Sequence, residues 1–239
     1  MTLIIGYARK FLILLWQQLI YITNSNINRL FFGHVTKKDF PLKNIKTVVI
    51  NLDRRPDRLN SSLMNLNKMG IQEIFKFSAI EDIYPQRGCA ASHLRVLQSF
   101  HDSNEELIII CEDDIKFIGN ILSLKRTINN FINYKESNIL CIANLTKSKS
   151  KNLTKYLHRA NEVQTTACYL IKRPIIDDLI ANAKKSIDEL TLSGAKTGSI
   201  DKTWKSLQTK HIFSIPKSRL CVQSSSYSDI EKKKVYYTY

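Results

Sequence analysis

The sequence predicts an α/β fold: a Rossmann-like, mostly parallel central sheet flanked by helices. Three observations carry that reading. Short β-branched runs alternate with stretches of helical spacing in the order β-α-β-α-β-α-β, which lays strands side by side and helices on their faces. Two of those runs, TVVINL (47–52) and LIIIC (107–111), are apolar without alternation, as strands buried on both faces are. The second runs directly into Glu112, Asp113 and Asp114. Ligands of open α/β sheets bind outside the carboxyl ends of the strands, so three acids at that position point to a metal–phosphate or sugar-nucleotide site.

Each element follows in order. Residues 1–43 are set apart as a hydrophobic or amphipathic helix and a linker. The apolar run 11–16 is continued by Leu19, Ile20 and Ile22, but Arg9 and Lys10 precede it and Gln17 and Gln18 break it. It falls short of the roughly 20 apolar residues of a spanning helix, and no small-residue exit follows for a cleaved signal peptide. A helix packed on the domain, an interfacial helix and a signal-anchor stay open. Arg9, Lys10 and Trp16 suit an interfacial helix, with residues 3–22 touching lipid. Residues 24–46 are polar, with breaks at Gly33 and Pro41. The α/β domain spans 44–230. Its first strand, 47–52, leads into a charged turn, with Pro56 set to start a helix. Leu59, Leu63, Leu66 and Met69 keep helical spacing and Gly70 closes that helix. Strands follow at 74–80, 107–111, 139–143 and 166–171, helices at 89–101 and 121–134, and another helix begins near Pro174. Residues 231–239 form a basic, Tyr-rich tail.

The 44% hydrophobic content supplies a core, and low Gly and Pro exclude a collagen-like or disordered chain. The net charge of +15 implies polyanionic partners: nucleic acid, anionic headgroups, or phosphorylated sugars and nucleotides. Five widely spaced cysteines without a C-x-x-C pair read as buried free thiols of a reducing compartment. The N-x-S/T triplets at Asn60, Asn144 and Asn152 are what so Asn-, Ser- and Thr-rich a chain holds by chance.

In an extended chain residues i and i+2 point the same way, so Glu112 and Asp114 share one side and Asp113 faces the other. Carboxylates there reach Mg²⁺ or Mn²⁺ that is shared with substrate phosphates. Asn51 offers hydrogen bonds to a base or ribose, and Arg54, Arg55 and Arg58 offer charge to phosphate; a solvated basic turn is the alternative. His93, beside Ser92 in a helix, is either a structural histidine or a ligand. Asp201, in TGSIDKTW, is either part of a helix start with Ser199 or a general base.

Taken in order, these motifs resemble glycosyltransferase family 25, from about residue 47 to 230. VVINLDRRPDRLNSSL is similar to the family's opening strand and Asp-Arg turn, FKFSAIED to its next segment, and GCAASHL to its Gly-Cys-x-x-Ser-His-Leu block. CEDDIKF matches its Glu-Asp-Asp signature and TTACYLIKR its later strand carrying Tyr169. SIDKTW matches the region of a late Asp, and PKSRLCVQSSSYSDI its closing segment. The stretch between Ile80 and Gly88 is shorter than the family's. The resemblance implies a GT-A-type fold and an inverting transfer of a hexose, most often galactose from UDP-galactose, to a glycan hydroxyl such as one of lipooligosaccharide. It implies Mn²⁺ (or Mg²⁺) held by Asp114 and Glu112. Donor contacts are then expected from Asn51, Arg58, Ser92, His93, Glu112, Asp113 and Gln223. Asp201 becomes the first candidate for the base and Asp229 the second. The expected partners are a UDP-sugar and a lipid- or protein-linked glycan, not nucleic acid. The expected location is cytoplasmic, peripheral on the inner face of a membrane. Two rival readings stand beside this one: a metal-dependent nucleic-acid enzyme, and a non-catalytic glycan- or nucleotide-binding member of the same fold.

Overall fold

β1 (Thr47–Asn51) is buried at every position, because both faces of the sheet are covered. Val48 and Ile50 enter one core and Val49 the other. The structure, a computed structural model, describes residues 41–146, 151–224, 226–228 and 233–235. The expected N-terminal helix and its contact at 3–22 lie outside the described residues. Among the described residues no helix is long and apolar enough to cross a membrane.

After β1 the chain forms α1 (Pro56–Lys68), with Pro56 in its first turn where the missing N–H has no helical partner to lose. Gly70, at φ +78°, ends it as C-terminal glycines do. β2 (Ile74–Ser78), α2 (Pro85–His101) and β3 (Leu107–Glu112) follow. A turn at Asp113 and Asp114 leads into β4 (Ile115–Phe117), then α3 (Ile121–Asn133). Asn120 caps α3, its side chain accepting from the Ser123 N–H at 2.8 Å. β5 (Ser137–Cys141), β6 (Lys151–Asn152), β7 (Leu157–Arg159) and β8 (Cys168–Lys172) precede α4 (Ile176–Leu192) and the short α5 (Ile200–Thr203). The described chain closes with β9 (Ile212–Pro216), β10 (Cys221–Gln223) and the pair β11 (Ser226–Ser228) and β12 (Lys233–Val235).

The main sheet has eight strands in the order β2-β1-β3-β8-β5-β9-β7-β6. Six of them (β2, β1, β3, β5, β9 and β6) point one way, with β8 and β7 reversed. The sheet is therefore mixed and mostly parallel. Residues of α2 and α4, among them Val96, Phe100, Leu179 and Ala183, fill one core. Leu66 of α1 and Leu124, Ile128 and Phe131 of α3 fill the other. β8 runs against both neighbours because no helix separates it from β5: the connection is a β6–β7 hairpin rather than the crossover a parallel return needs.

Candidate active site at the acid-bearing strand end

β3 delivers three acids into three different surroundings. Glu112 lines a cavity of about 350 Å³. It accepts a hydrogen bond from Thr166 Oγ1 at 2.7 Å, and its Oε1 lies 3.5 Å from His93 Nε2. Asp113 is buried toward α1, where its carboxylate accepts from Asn51 Nδ2 at 2.7 Å and from Arg58 Nη1 at 3.1 Å. Ser62 Oγ donates to the Asp113 carbonyl at 2.8 Å. Asp114 meets Gln223, whose Nε2 lies 3.5 Å from Oδ2. The β4–β10 ladder sets this contact by pairing Gln223 with Ile115. The other oxygen of Asp114, Oδ1, is buried without a hydrogen-bond partner.

These surroundings divide the charge. Burial pushes the Asp114 carboxyl up to about 8, and the negative charges of Glu112 and Asp113 add to it. Burial also raises Asp113, against the pull of Arg58 and Asn51. Burial acts upward on Glu112 as well, but His93, Thr166 and Arg58 outweigh it and hold that carboxyl below its ordinary value.

The facing wall comes from residues 164–166 and from α5. Thr165 sits at φ 75°, where a β-branched side chain is strained. Strain of this kind persists where surrounding bonds determine the backbone, and here three do. The Thr165 N–H donates to Asp201 Oδ2 at 3.2 Å, its Oγ1 donates to Gln223 Oε1 at 3.1 Å, and that Oγ1 accepts from the Ala167 N–H at 3.2 Å. Asp201, Gln223, Thr165, Thr166 and Glu112 all line the cavity. Asp201 lies in the first turn of α5, and no Ser199 side-chain bond caps that helix.

α2 supplies the floor. Gly88 is required there, since a Cβ would come within 2.4 Å of the Ile80 carbonyl oxygen. Ser92 Oγ donates to the Gly88 carbonyl at 2.8 Å and accepts from the Ile80 N–H at 2.8 Å, which docks the preceding loop on the helix. His93 has no exposed surface, and its Nδ1 lies 2.9 Å from the Tyr169 hydroxyl. Cys89, Cys111, Cys141, Cys168 and Cys221 are free thiols, and all but Cys89 are buried. Cys89 is half-buried in the cavity wall. Burial and the carboxylates of Glu112, Asp201 and Asp114 push its thiol well up. One ligand atom each from Cys89, His93 and Glu112 come within 4.8 Å of one another.

The structure thus brings Glu112, Asp201 and Gln223 to one cavity, with Asp114 against Gln223. It directs the side chains of Asn51, Arg58, Asp113 and Ser92 to protein partners, and buries His93 behind Glu112. Asn51, Arg58 and Asp113 hold the acid turn, and Ser92 holds the loop before α2. Asp229 lies outside the described residues. The sequence reading left out Thr165, Thr166 and Cys89. The spacing of Cys89 and His93, four apart on a predicted helix, was a legible signal for one shared face. The backbone twist at Thr165 leaves none.

Residues 84–192 match the sequence model of the family described as glycosyltransferase family 25 (LPS biosynthesis protein). The matched stretch holds the α2 floor, the acid turn and Tyr169. Among solved structures, a glycosyltransferase involved in glycosylation of the major capsid of PBCV-1 aligns at 9% identity and a TM-score of 0.48, covering 79% of this chain and 96% of its own. The mannosyltransferase PcManGT from Pyrobaculum calidifontis, in complex with GDP-Man and Mn²⁺, aligns at 10% identity and a TM-score of 0.47, covering 89% and 66%. Mannose-1-phosphate geranyltransferase from Thermus thermophilus aligns at 8% identity and a TM-score of 0.42, covering 74% and 75%. No curated protein matches the chain.

Proposed function

We propose that the protein is an inverting glycosyltransferase of the GT-A type. It moves a hexose, galactose from UDP-galactose in the first instance, to a hydroxyl of a glycan such as lipooligosaccharide. One observation carries the reading. Asp114 keeps a buried oxygen with no partner, beside a cavity that Glu112 and Asp201 both line.

A buried carboxylate oxygen without a donor is costly unless a cation meets it, so the acid turn fits a divalent ion. Asp114 and Glu112 would hold it, and their hard oxygens suit Mn²⁺ or Mg²⁺. When bound, such an ion neutralises the charge that builds on a departing diphosphate. The chain's own residues do the rest. Asp201 takes the proton of the acceptor hydroxyl as general base, oriented by the Thr165 N–H on Oδ2. Attack from the side opposite the leaving group inverts the anomeric centre. Gln223 links the two halves, since it meets both Asp114 and Thr165. Lys196 and Lys202 in the cavity wall favour an anionic substrate. Peripheral attachment through residues 3–22 to the cytoplasmic face of a membrane is part of the same proposal.

The nucleic-acid reading loses ground at the cavity, because a two-metal nuclease wants more acids than the Glu112 and Asp201 that line it. The test is a screen of UDP-sugars for UDP release, with and without Mn²⁺. The expected result is Mn²⁺-dependent release with UDP-galactose, lost in Asp114→Ala. Nucleic-acid cleavage without UDP-sugar turnover overturns the proposal, and UDP binding without turnover replaces it with the non-catalytic reading.

A further inference from the structure

We infer that Cys89, His93 and Glu112 form a binding site for a thiophilic divalent ion of the Zn²⁺ class in the floor of the cavity. It differs in chemistry from the oxygen-ligated ion assigned to Asp114 and Glu112, with which it shares Glu112. Cys89 and His93 are four residues apart in α2, so their side chains stack on one helix face. The end of β3 brings Glu112 to the same point, and the three ligand atoms lie within 4.8 Å of one another.

The geometry is already close to that of a coordination shell. With metal–N and metal–O bonds of about 2.0–2.1 Å, the N–O edge of a tetrahedron is about 3.3–3.4 Å. His93 Nε2 and Glu112 Oε1 stand 3.5 Å apart. The longer metal–S bond sets the edges to sulfur near about 3.5–3.6 Å, so with the ligand atoms within 4.8 Å Cys89 has at most about 1.3 Å to close, within reach of a side-chain rotation. His93 is poised for the role. It is fully buried, and its Nε2 has no hydrogen-bond partner. Its Nδ1 is engaged by the Tyr169 hydroxyl at 2.9 Å, the kind of outer bond that fixes the ring and tautomer of metal-binding imidazoles. With the proton on Nδ1, the lone pair of Nε2 faces Glu112 and Cys89.

The donor set selects the ion. A thiolate, an imidazole and a carboxylate suit Zn²⁺ or Co²⁺, whereas Mg²⁺ and Mn²⁺ prefer oxygen alone. Loading displaces the thiol proton of Cys89, a cost that a thiophilic ion offsets and Mg²⁺ does not. Three protein ligands leave a fourth position open to the cavity, the ligand count of reactive rather than structural zinc sites.

The test needs no sugar nucleotide. The full-length, reduced chain is stripped of metal and titrated with Co²⁺. The expected result is a thiolate-to-cobalt charge-transfer band with strong tetrahedral d–d absorption, bleached by Zn²⁺ and untouched by Mn²⁺. In parallel, alkylation of Cys89 followed by mass spectrometry slows about tenfold or more at Zn²⁺ well above its dissociation constant, and Mn²⁺ does not slow it. Cys89→Ser abolishes the band. Tyr169→Phe keeps it and weakens cobalt binding about tenfold, as loss of an outer-shell bond does. Absence of the band, its survival in Cys89→Ser, or equal alkylation with and without Zn²⁺ overturns the inference. The assigned glycosyl transfer gives no role to Cys89, so a negative outcome leaves that reading standing, and Mn²⁺-dependent UDP release tests it separately because the two ions share Glu112.

Discussion

Asp114→Asn separates what the fold needs from what the site needs. The carboxyl ionises near 3.8 when free and is pushed up to about 8 in the fold, by burial first and by Glu112 and Asp113 next. Below about pH 4 it is protonated in both folded and unfolded chains and has no effect on their balance. Between about pH 4 and 8 the unfolded chain has lost the proton and the folded chain keeps it, so stability falls as pH rises, and levels off above about pH 8. A pKa unit is worth about 1.4 kcal/mol. A displacement of about four units therefore bounds the penalty at on the order of 5 kcal/mol. Side-chain relaxation and water in the neighbouring cavity reduce it, and we expect about 1–3 kcal/mol at pH 8. Asparagine has nearly the shape of the protonated acid and no charge to desolvate. In chelator-treated protein, urea unfolding followed at several pH values should show wild type and variant equal near pH 4. The variant should be more stable by that margin near pH 8. Saturating Mn²⁺ should close the gap by stabilising wild type alone. A gap independent of pH, or a variant less stable at pH 8, would falsify the claim that Asp114 is folded against its own charge.

Three further outcomes follow from the same geometry. Asp201→Asn keeps the Thr165 N–H bond and loses the base, so donor affinity should hold while kcat falls about 10²–10⁴-fold; collapse of donor affinity instead would make Asp201 a binding residue. Arg58→Met strands the buried Asp113 carboxylate and should cost about 3–5 kcal/mol by thermal or urea unfolding. Unchanged stability with a raised donor KM would instead support the donor contact that the family resemblance assigned to Arg58. Gly88→Ala drives a methyl to 2.4 Å from the Ile80 carbonyl and should destabilise by about 1–3 kcal/mol, read as a lower urea midpoint, with no change meaning that the loop moves freely off α2.

The acid turn was legible because charge at the end of an apolar strand violates the pattern around it, and few structural uses explain that. The buried strands and the helices α1 and α3 were legible for the ordinary reason that their periodicity is uninterrupted. Less could be read where tertiary contacts decide. β8 looks like any buried strand, and its reversed direction depends on the absence of a helix in the residues before it. α2 begins at Pro85, before the apolar pattern that suggests a start at Cys89. β9 and β10 follow α5 as short runs among charged residues, yet β10 is what carries Gln223 to Asp114. The family resemblance singled out Ser92 and His93 as donor contacts, but their protein partners could not be read from the sequence. Their partners, the Ile80 N–H and the Tyr169 hydroxyl, lie 12 and 76 residues away, and local sequence does not encode such distances.

Three adjacent carboxylates should repel enough to open the strand end, and each is relieved by a different means. Asp113 is paired with Arg58 and Asn51 on the α1 side. Glu112 stays ionised against His93 and Thr166 on the cavity side. Asp114 is pushed toward its protonated form by burial, and this one differs in kind, because it leaves a buried oxygen unsatisfied. Had stability alone shaped the turn, an apolar residue or an amide at position 114 would serve better. A carboxyl that burial holds toward its protonated form fits the cation site proposed for the turn. On the proposed function, a cation entering beside Glu112 would displace a proton rather than restructure the loop. Fold and loading are then separable events, which is why the pH dependence of the metal-free protein, rather than its activity, is the sharper probe of this turn.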